Sequence, residues 1–221
     1  MTHRIALVFV SLGLLGSVAG CTSTGIAVRE KVFGIAKREQ LVDRVEEARD
    51  SQGEAKEQFA SALDEFLAIT NQQGGDLEKR YKALQKEFDR SKSRAADVSS
   101  RIGKVEGVGN SLFSEWESDN AKIGNAALRA QAEQQRAGSR TTFDSMVRVM
   151  REAEGKMAPV LTAFQDQVLF LKSNLNAAAI SGLQGEASRI QGDVQRLVAD
   201  MQASIDEANR FIEQMNSGMG K

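Results

Sequence analysis

The chain has 221 residues, with 29 Lys and Arg against 30 Asp and Glu, so its formal net charge is −1 and no global basicity points to nucleic acid. One proline and 5% aromatic residues favour an all-α protein over a packed sheet, which needs more aromatic and β-branched side chains. The only histidine, His3, and the only cysteine, Cys21, lie at the extreme N-terminus. The body of the chain therefore lacks imidazole and the usual zinc ligands, and we expect neither a metal, nor a cofactor, nor enzyme activity.

The first 20 residues have the pattern of a secretory signal peptide. Arg4 gives a basic start, residues 5–15 form an apolar run, and small residues follow. The apolar run is too short for a transmembrane helix, because about 20 residues are needed to cross roughly 30 Å of hydrocarbon. The sequence therefore predicts that this segment is removed after export.

The end of the signal predicts a lipid anchor, because Val18, Ala19, Gly20 and Cys21 resemble the lipobox of bacterial lipoproteins. By this resemblance Cys21 becomes an acylated N-terminus, and two or more acyl chains anchor a protein stably in a membrane. Thr22 resembles the outer-membrane default of Gram-negative lipoproteins, which implies an inner-leaflet anchor facing the periplasm. The alternative is an ordinary signal followed by an unmodified thiol.

Residues 21–31 read as a short tether, and heptad patterns begin soon after it. From residue 41 to 69 the apolar positions are spaced alternately by four and three, with Gln52 as the one polar member. The loop at 71–76 then combines glycines that stop a helix with Asp76 as an N-cap. The positions predicted to be buried are Leu41, Val45, Ala48, Gln52, Ala55, Phe59, Ala62, Phe66 and Ile69.

A second heptad pattern keeps its phase from residue 77 to 123, which corresponds to about 70 Å of helix at 1.5 Å per residue. Gly103, Gly107 and Gly109 interrupt it, and because the phase persists across them we expect a weak or bent stretch rather than a chain reversal. The positions predicted to be buried are Leu77, Tyr81, Leu84, Phe88, Ser91, Ala95, Val98, Ile102, Val105, Gly109, Leu112, Trp116, Asp119 and Ile123.

Two further heptad patterns follow a polar segment at residues 134–140, which we expect to separate two helices. The third pattern contains Pro159 and predicts a kink near residues 155–159, because proline removes one backbone hydrogen bond. Residues 176–185, with Ser181 and Gly182, are the next turn candidate. The third pattern is Phe143, Val147, Met150, Glu154, Met157, Leu161, Phe164, Val168, Leu171 and Leu175, and the fourth is Leu183, Ala187, Ile190, Val194, Leu197, Met201, Ser204, Ala208, Phe211 and Met215.

These elements predict an all-α fold, an elongated antiparallel bundle or coiled coil of about four long helices in one domain at residues 32–216. Residues 217–221 are expected to be a flexible tail. Within the second helix, residues 79–94 carry seven basic side chains against Glu87 and Asp89. That run predicts either a solvated helix face or a surface facing an anionic lipid or polyanion.

A resemblance to a known family begins in the first helix. Residues 33–45 read FGIAKREQLVDRV and residues 48–52 read ARDSQ. This stretch resembles the opening of a family of uncharacterised Gram-negative helical lipoproteins, with similarity from about residue 32 to residue 215. The resemblance implies a helical fold and export, and it supplies no catalytic residue.

Two functions are compatible with these patterns. One is a non-enzymatic, lipid-anchored envelope protein that acts as a helical scaffold or binds a protein partner or another copy of itself, with no nucleic acid and no evident small-molecule substrate. The other is a helical bundle that perturbs membranes, which polar residues in the best apolar stretch, 157–180, disfavour. Lys221 also invites comparison with the terminal lysine through which the major Gram-negative lipoprotein is linked to peptidoglycan, and the alternative is a frayed tail that happens to end in lysine.

Overall fold

The fold consists of long helices, which a computed structural model describes for residues 23–71, 76–174 and 177–218. Side chains are described from residue 37 onward within those ranges, except at 177–179 and 218. The predicted all-α fold is confirmed. The helices are α1 (Ser23–Thr70), α2 (Leu77–Ala121), α3 (Ala126–Gly155), α4 (Met157–Ser173) and α5 (Ala177–Gly218).

The bounds of the outer helices differ from the predicted tether and tail. Helix α1 begins at Ser23, inside the segment 21–31, and α5 ends at Gly218, inside the segment 217–221. The predicted loop after α1 is confirmed at its two ends: α1 ends at Thr70, and the Asp76 carboxylate accepts a hydrogen bond from the Lys79 backbone N–H at 3.0 Å. That bond satisfies one of the free N–H groups at the start of α2.

The prediction of a helix break at residues 134–140 is wrong, because this segment lies inside α3. The chain turns earlier, where α2 ends at Ala121 and the Asn125 side chain accepts hydrogen bonds from the Ala127 and Leu128 N–H groups. Glutamine, alanine and arginine are good helix formers, so a single Gly138 costs at most about 1 kcal/mol and does not end the helix. Gly124 followed by Asn125 was the stronger stop-and-cap signal.

The predicted kink at residues 155–159 is confirmed as a break at Lys156 between α3 and α4. Pro159 is the third residue of α4 and cannot donate to the carbonyl four residues earlier. At the break, the Lys156 N–H donates to Ala153 O, three residues earlier, at 3.2 Å, which tightens the last turn of α3.

The turn predicted at residues 176–185 falls earlier in the chain. Helix α4 ends with Asn174 as its C-cap and α5 begins at Ala177, so Ser181 and Gly182 are helical. Gly182 serves packing instead, since a Cβ at this position would lie 3.0 Å from the Cζ atom of Phe170.

The helices form an antiparallel bundle in which α3 and α4 together occupy the place of one broken helix. Helix α1 packs against α2 and α5, and the α3–α4 pair packs against the same two helices. Two contacts show that α1 and α5 run in opposite directions: Arg49 bonds to Asn209 at 3.1 Å, and Lys56 bonds to Gln202 at 2.7 Å. The N-terminus of α1 and the C-terminus of α5 therefore lie at the same end, which we call the terminal end.

Most predicted core positions are buried, and the errors lie in the phase of two patterns. All nine positions of the first pattern are buried. The second pattern holds from Leu84 to Leu112, with Ala95 partly buried, but Asp119 is exposed and Asn120 is buried in its place. In the third pattern, three of the ten positions were assigned one residue too late, since Val147, Glu154 and Leu161 are only partly buried. The residues buried in their place are Met146, Ala153 and Val160.

Helix α2 is continuous through its glycines, so no chain reversal occurs there. Gly109 is required for close packing. A Cβ built at this position would lie 2.1 Å from the Cζ atom of Phe143, whereas a Cβ at Gly107 would meet nothing within 4 Å.

Candidate functional site

The residues predicted to be modified lie outside the described part of the chain. They are Val18, Ala19, Gly20 and Cys21 at the N-terminus and Lys221 at the C-terminus. Lipidation and covalent attachment therefore stay predictions. Within the described ranges, no group of three His, Cys, Asp or Glu side chains could hold a metal ion. None of the described helices combines the length and apolar character needed to cross a membrane.

An aromatic cluster of Phe113, Trp116, Phe143 and Phe211 joins three helices in the terminal half of the bundle. The Phe113 ring stacks on Trp116 at a centroid distance of 6.1 Å and contacts Phe143 at 5.4 Å, and Phe143 contacts Phe211 at 6.0 Å. Such ring pairs contribute about 0.5–1.5 kcal/mol each beyond the apolar area they bury. The cluster fixes α3 and α5 against α2.

Two arginines cap this cluster. The guanidinium carbon of Arg140 lies 5.4 Å from the Phe113 centroid and 5.6 Å from that of Phe143, and Arg140 also bonds to Asp144 and Asn110. The guanidinium carbon of Arg38 lies 4.6 Å from the Trp116 centroid. No hydrogen bond or ion pair joins Arg38 to another residue of the described ranges, so the ring contact is its principal interaction there.

A groove with a volume of about 430 Å³ opens beside Arg38 and Trp116. It lies between α1, α2, α3 and α5 at the terminal end. Trp116, Phe211 and Met215 supply its apolar surface, and its polar side chains come mainly from α3. The remaining lining residues are Arg38, Gln134, Gln135, Gly138, Ser139, Thr142 and Gln214.

The groove is positively charged, because Arg38 is the only charged residue among the described lining residues. Sequence reasoning missed this site for two reasons. It treated residues 134–140 as a loop, and it explained Trp116 by core packing alone. In the structure Trp116 is only partly buried, and its solvent-facing part belongs to the groove.

Ion pairs hold the helices that form the groove in register. Lys37 bonds to Glu115 at 2.6 Å between α1 and α2. Between α3 and α2, Arg151 makes two bonds to the Glu106 carboxylate, at 2.7 and 3.0 Å, and it also bonds to Glu154. The hydrogen bonds from Arg151 lower the pKa of Glu106 below its ordinary value, and those carboxylates in turn raise the pKa of Arg151.

A buried polar pair lies between α1 and α5, nearer the middle of the bundle. Ser204 Oγ and Gln52 Oε1 are 2.8 Å apart, and both residues are fully buried. The Gln52 Nε2 group has no hydrogen-bond partner among the described residues. Ser91, also fully buried, donates to the Glu87 carbonyl of its own helix.

In the basic run at residues 79–94, five of the seven basic side chains are exposed, and Arg80 and Arg94 are partly buried. Lys82 pairs with Glu78 at 2.5 Å, Arg90 with Glu87 at 2.9 Å, and Arg94 with Glu54 on α1. These pairs are typical of a solvated helix face. The run begins at the end of the bundle opposite the terminal end.

The comparison with protein families matched residues 26–215 to DUF2959, described as a protein of unknown function. The chain belongs to this family. The predicted resemblance to an uncharacterised helical family is thereby confirmed over most of the chain, and the match begins six residues before the predicted residue 32. The family description says nothing of a lipid, so the lipoprotein character stays a prediction. The comparison with curated proteins gave no match.

Proposed function

We propose that this protein is a non-enzymatic, lipid-anchored scaffold of the Gram-negative cell envelope. The observation that carries the proposal is the lipobox-like sequence Val18, Ala19, Gly20 and Cys21, placed directly before a long helical bundle. Acylation at Cys21 would hold one end of the bundle at a membrane. Helix α1, with 48 residues, extends about 70 Å along its axis, so the far end would stand well away from the lipid.

Partner binding along the helix faces is the second part of this proposal. Leu128 on α3 keeps 58% of its surface exposed and Leu169 on α4 keeps 51%, so both large apolar side chains are accessible to a partner. A scaffold in the periplasm would offer such side chains to a protein partner or to a second copy of the chain.

The positions of the chain ends favour a scaffold over a bridge to peptidoglycan. Gly218, the last residue that the structure describes, lies at the terminal end, and a chain of three further residues spans at most about 11 Å. A covalent link through Lys221 would therefore attach the membrane-proximal end of the bundle.

The anchor is tested by the intact mass of the mature protein. We expect an N-terminal cysteine carrying acyl chains, and Cys21→Ser should abolish acylation. As the matched control, Thr22→Asp should keep the lipid and move the protein to the inner-membrane fraction. An unmodified thiol at Cys21, or cleavage elsewhere, contradicts the anchor.

Partner binding is tested by placing a photo-crosslinking residue at Leu128 or Leu169 in intact cells. We expect a discrete adduct from at least one of these positions and none from Arg196, an exposed polar control on α5. An absence of adducts from both apolar positions contradicts binding through these faces.

A further inference from the structure

We infer that the groove at the terminal end binds a small anionic amphiphile, a molecule with a phosphate or carboxylate head and an apolar body. Its volume of about 430 Å³ lies within the roughly 300–1,000 Å³ of typical small-molecule sites. This inference goes beyond the proposed scaffold, and only the choice between a free ligand and a bilayer lipid rests on the proposed anchor at Cys21.

Arg38 indicates that the head group of the ligand is anionic. A guanidinium stacked on an aromatic ring keeps its N–H donors in its own plane, where they match the oxygens of a carboxylate or phosphate. The guanidinium carbon of Arg38 lies over the Trp116 ring, 4.6 Å from its centroid, and no described residue accepts a hydrogen bond from Arg38. Because no carboxylate is found among the described lining residues, an anion entering the groove meets attraction from Arg38 without opposition from a neighbouring acid.

The apolar lining of the groove indicates that the body of the ligand is apolar. The partly buried Trp116 and Met215 provide a ring and a flexible thioether chain, which adapts to irregular apolar shapes, and the buried Phe211 ring lies behind them. The amides and hydroxyls from α3 lie on the same groove, so polar groups of a ligand can be hydrogen-bonded there. The combination of a single cation with an adjoining apolar surface fits an amphiphile better than a simple ion.

Two sources could supply this chemistry, a free amphiphile and the head group of a bilayer lipid. The helical path from Ser23 to Arg38 measures about 22 Å at 1.5 Å per residue. A lipid anchor at the N-terminus would therefore leave the groove beyond the reach of head groups in a flat bilayer, which favours a free ligand.

The test uses the fluorescence of Trp116, the only tryptophan in the chain. The full-length mature protein, in nanodiscs of uncharged phosphatidylcholine, is titrated with octyl phosphate, with octanol and with inorganic phosphate. We expect a saturable change with octyl phosphate and binding at least about tenfold weaker for the other two, because each lacks one half of the ligand. Anionic phosphatidylglycerol in the same nanodiscs should give no change, and a change with this lipid alone would overturn the assignment to a free ligand.

Two variants locate the site. Arg38→Gln should weaken octyl phosphate binding at least about tenfold with unchanged helicity, whereas Arg196→Gln on the exposed surface should bind as the wild type does. Gly138→Leu should also abolish binding, because its side chain would enter the groove from an open helical position that a Cβ occupies without contact. Wild-type affinity in both Arg38→Gln and Gly138→Leu, or the absence of any saturable change, would overturn the inference.

Discussion

Gly109 allows α2 and α3 to approach each other, and Gly109→Ala tests how closely. The added Cβ would lie 2.1, 2.5 and 2.9 Å from three atoms of the Phe143 ring, all well inside van der Waals contact. Phe143 is 2% exposed and packs against Phe113 and Phe211, so its ring cannot move aside without displacing them. Overpacking of this kind costs about 1–3 kcal/mol.

The matched control for this prediction is Gly107→Ala, two residues away in the same helix. Both substitutions replace glycine by alanine within α2, which by itself stabilises a helix by up to about 1 kcal/mol. A Cβ at residue 107 meets nothing within 4 Å, so Gly107→Ala should stabilise the protein. The difference in unfolding free energy between the two variants then isolates the steric cost.

Urea unfolding followed by circular dichroism measures that difference. We expect Gly109→Ala to unfold about 1–3 kcal/mol more easily than Gly107→Ala, and Phe143→Leu should reduce the gap when combined with Gly109→Ala because it removes the clashing ring atoms. If Gly109→Ala were as stable as Gly107→Ala, the close packing of Phe143 on α2 would be refuted.

Two further predictions concern buried and paired polar groups. Ser204→Ala should lower the unfolding free energy by about 1–3 kcal/mol, because it removes the hydrogen-bond partner of the buried Gln52, and adding Gln52→Leu should restore or exceed wild-type stability in urea. Because Arg151 lowers the pKa of Glu106 in the folded state, the stability from this pair is present above the unfolded-state pKa and is lost as the pH falls through the folded-state pKa. We therefore expect the urea midpoint of the wild type to fall as the pH decreases below the ordinary glutamate pKa of about 4.3, and that of Glu106→Gln to fall less. Equal falls would show that the pair contributes nothing to the acid sensitivity.

The heptad patterns predicted the core well where only one phase was apolar. In α1 every alternative to the phase through Leu41 and Phe59 would have buried charged residues, so the assignment was unambiguous. In α3 two neighbouring residues, Met146 and Val147, are both apolar, and the pattern followed the wrong one. The predicted phase placed the charged Glu154 in the core, which argued against it. The phase through Met146 places Ala153 there instead.

The groove was beyond prediction because its parts come from four helices. Arg38, Trp116, Ser139 and Met215 are far apart in sequence, and each one alone is compatible with an ordinary helix position. Only the packing of α3 and α5 against α2 places them around one space. Residues 134–140, which supply several polar residues of the groove, were predicted to be a break between helices, so they were not placed on a helix face beside Trp116.

Local sequence was sufficient to predict the helical class, the heptad patterns of α1 and α5, the cap at Asp76 and the break near Pro159. These features depend on neighbours within one or two helical turns, where spacing and side-chain type decide the outcome. Three features became evident only in the packed bundle: the phase of α3, the need for glycine at residue 109 and the contact of Arg38 with Trp116. Those features depend on which helix faces meet, and in an antiparallel bundle that is settled by the combined packing of all its helices.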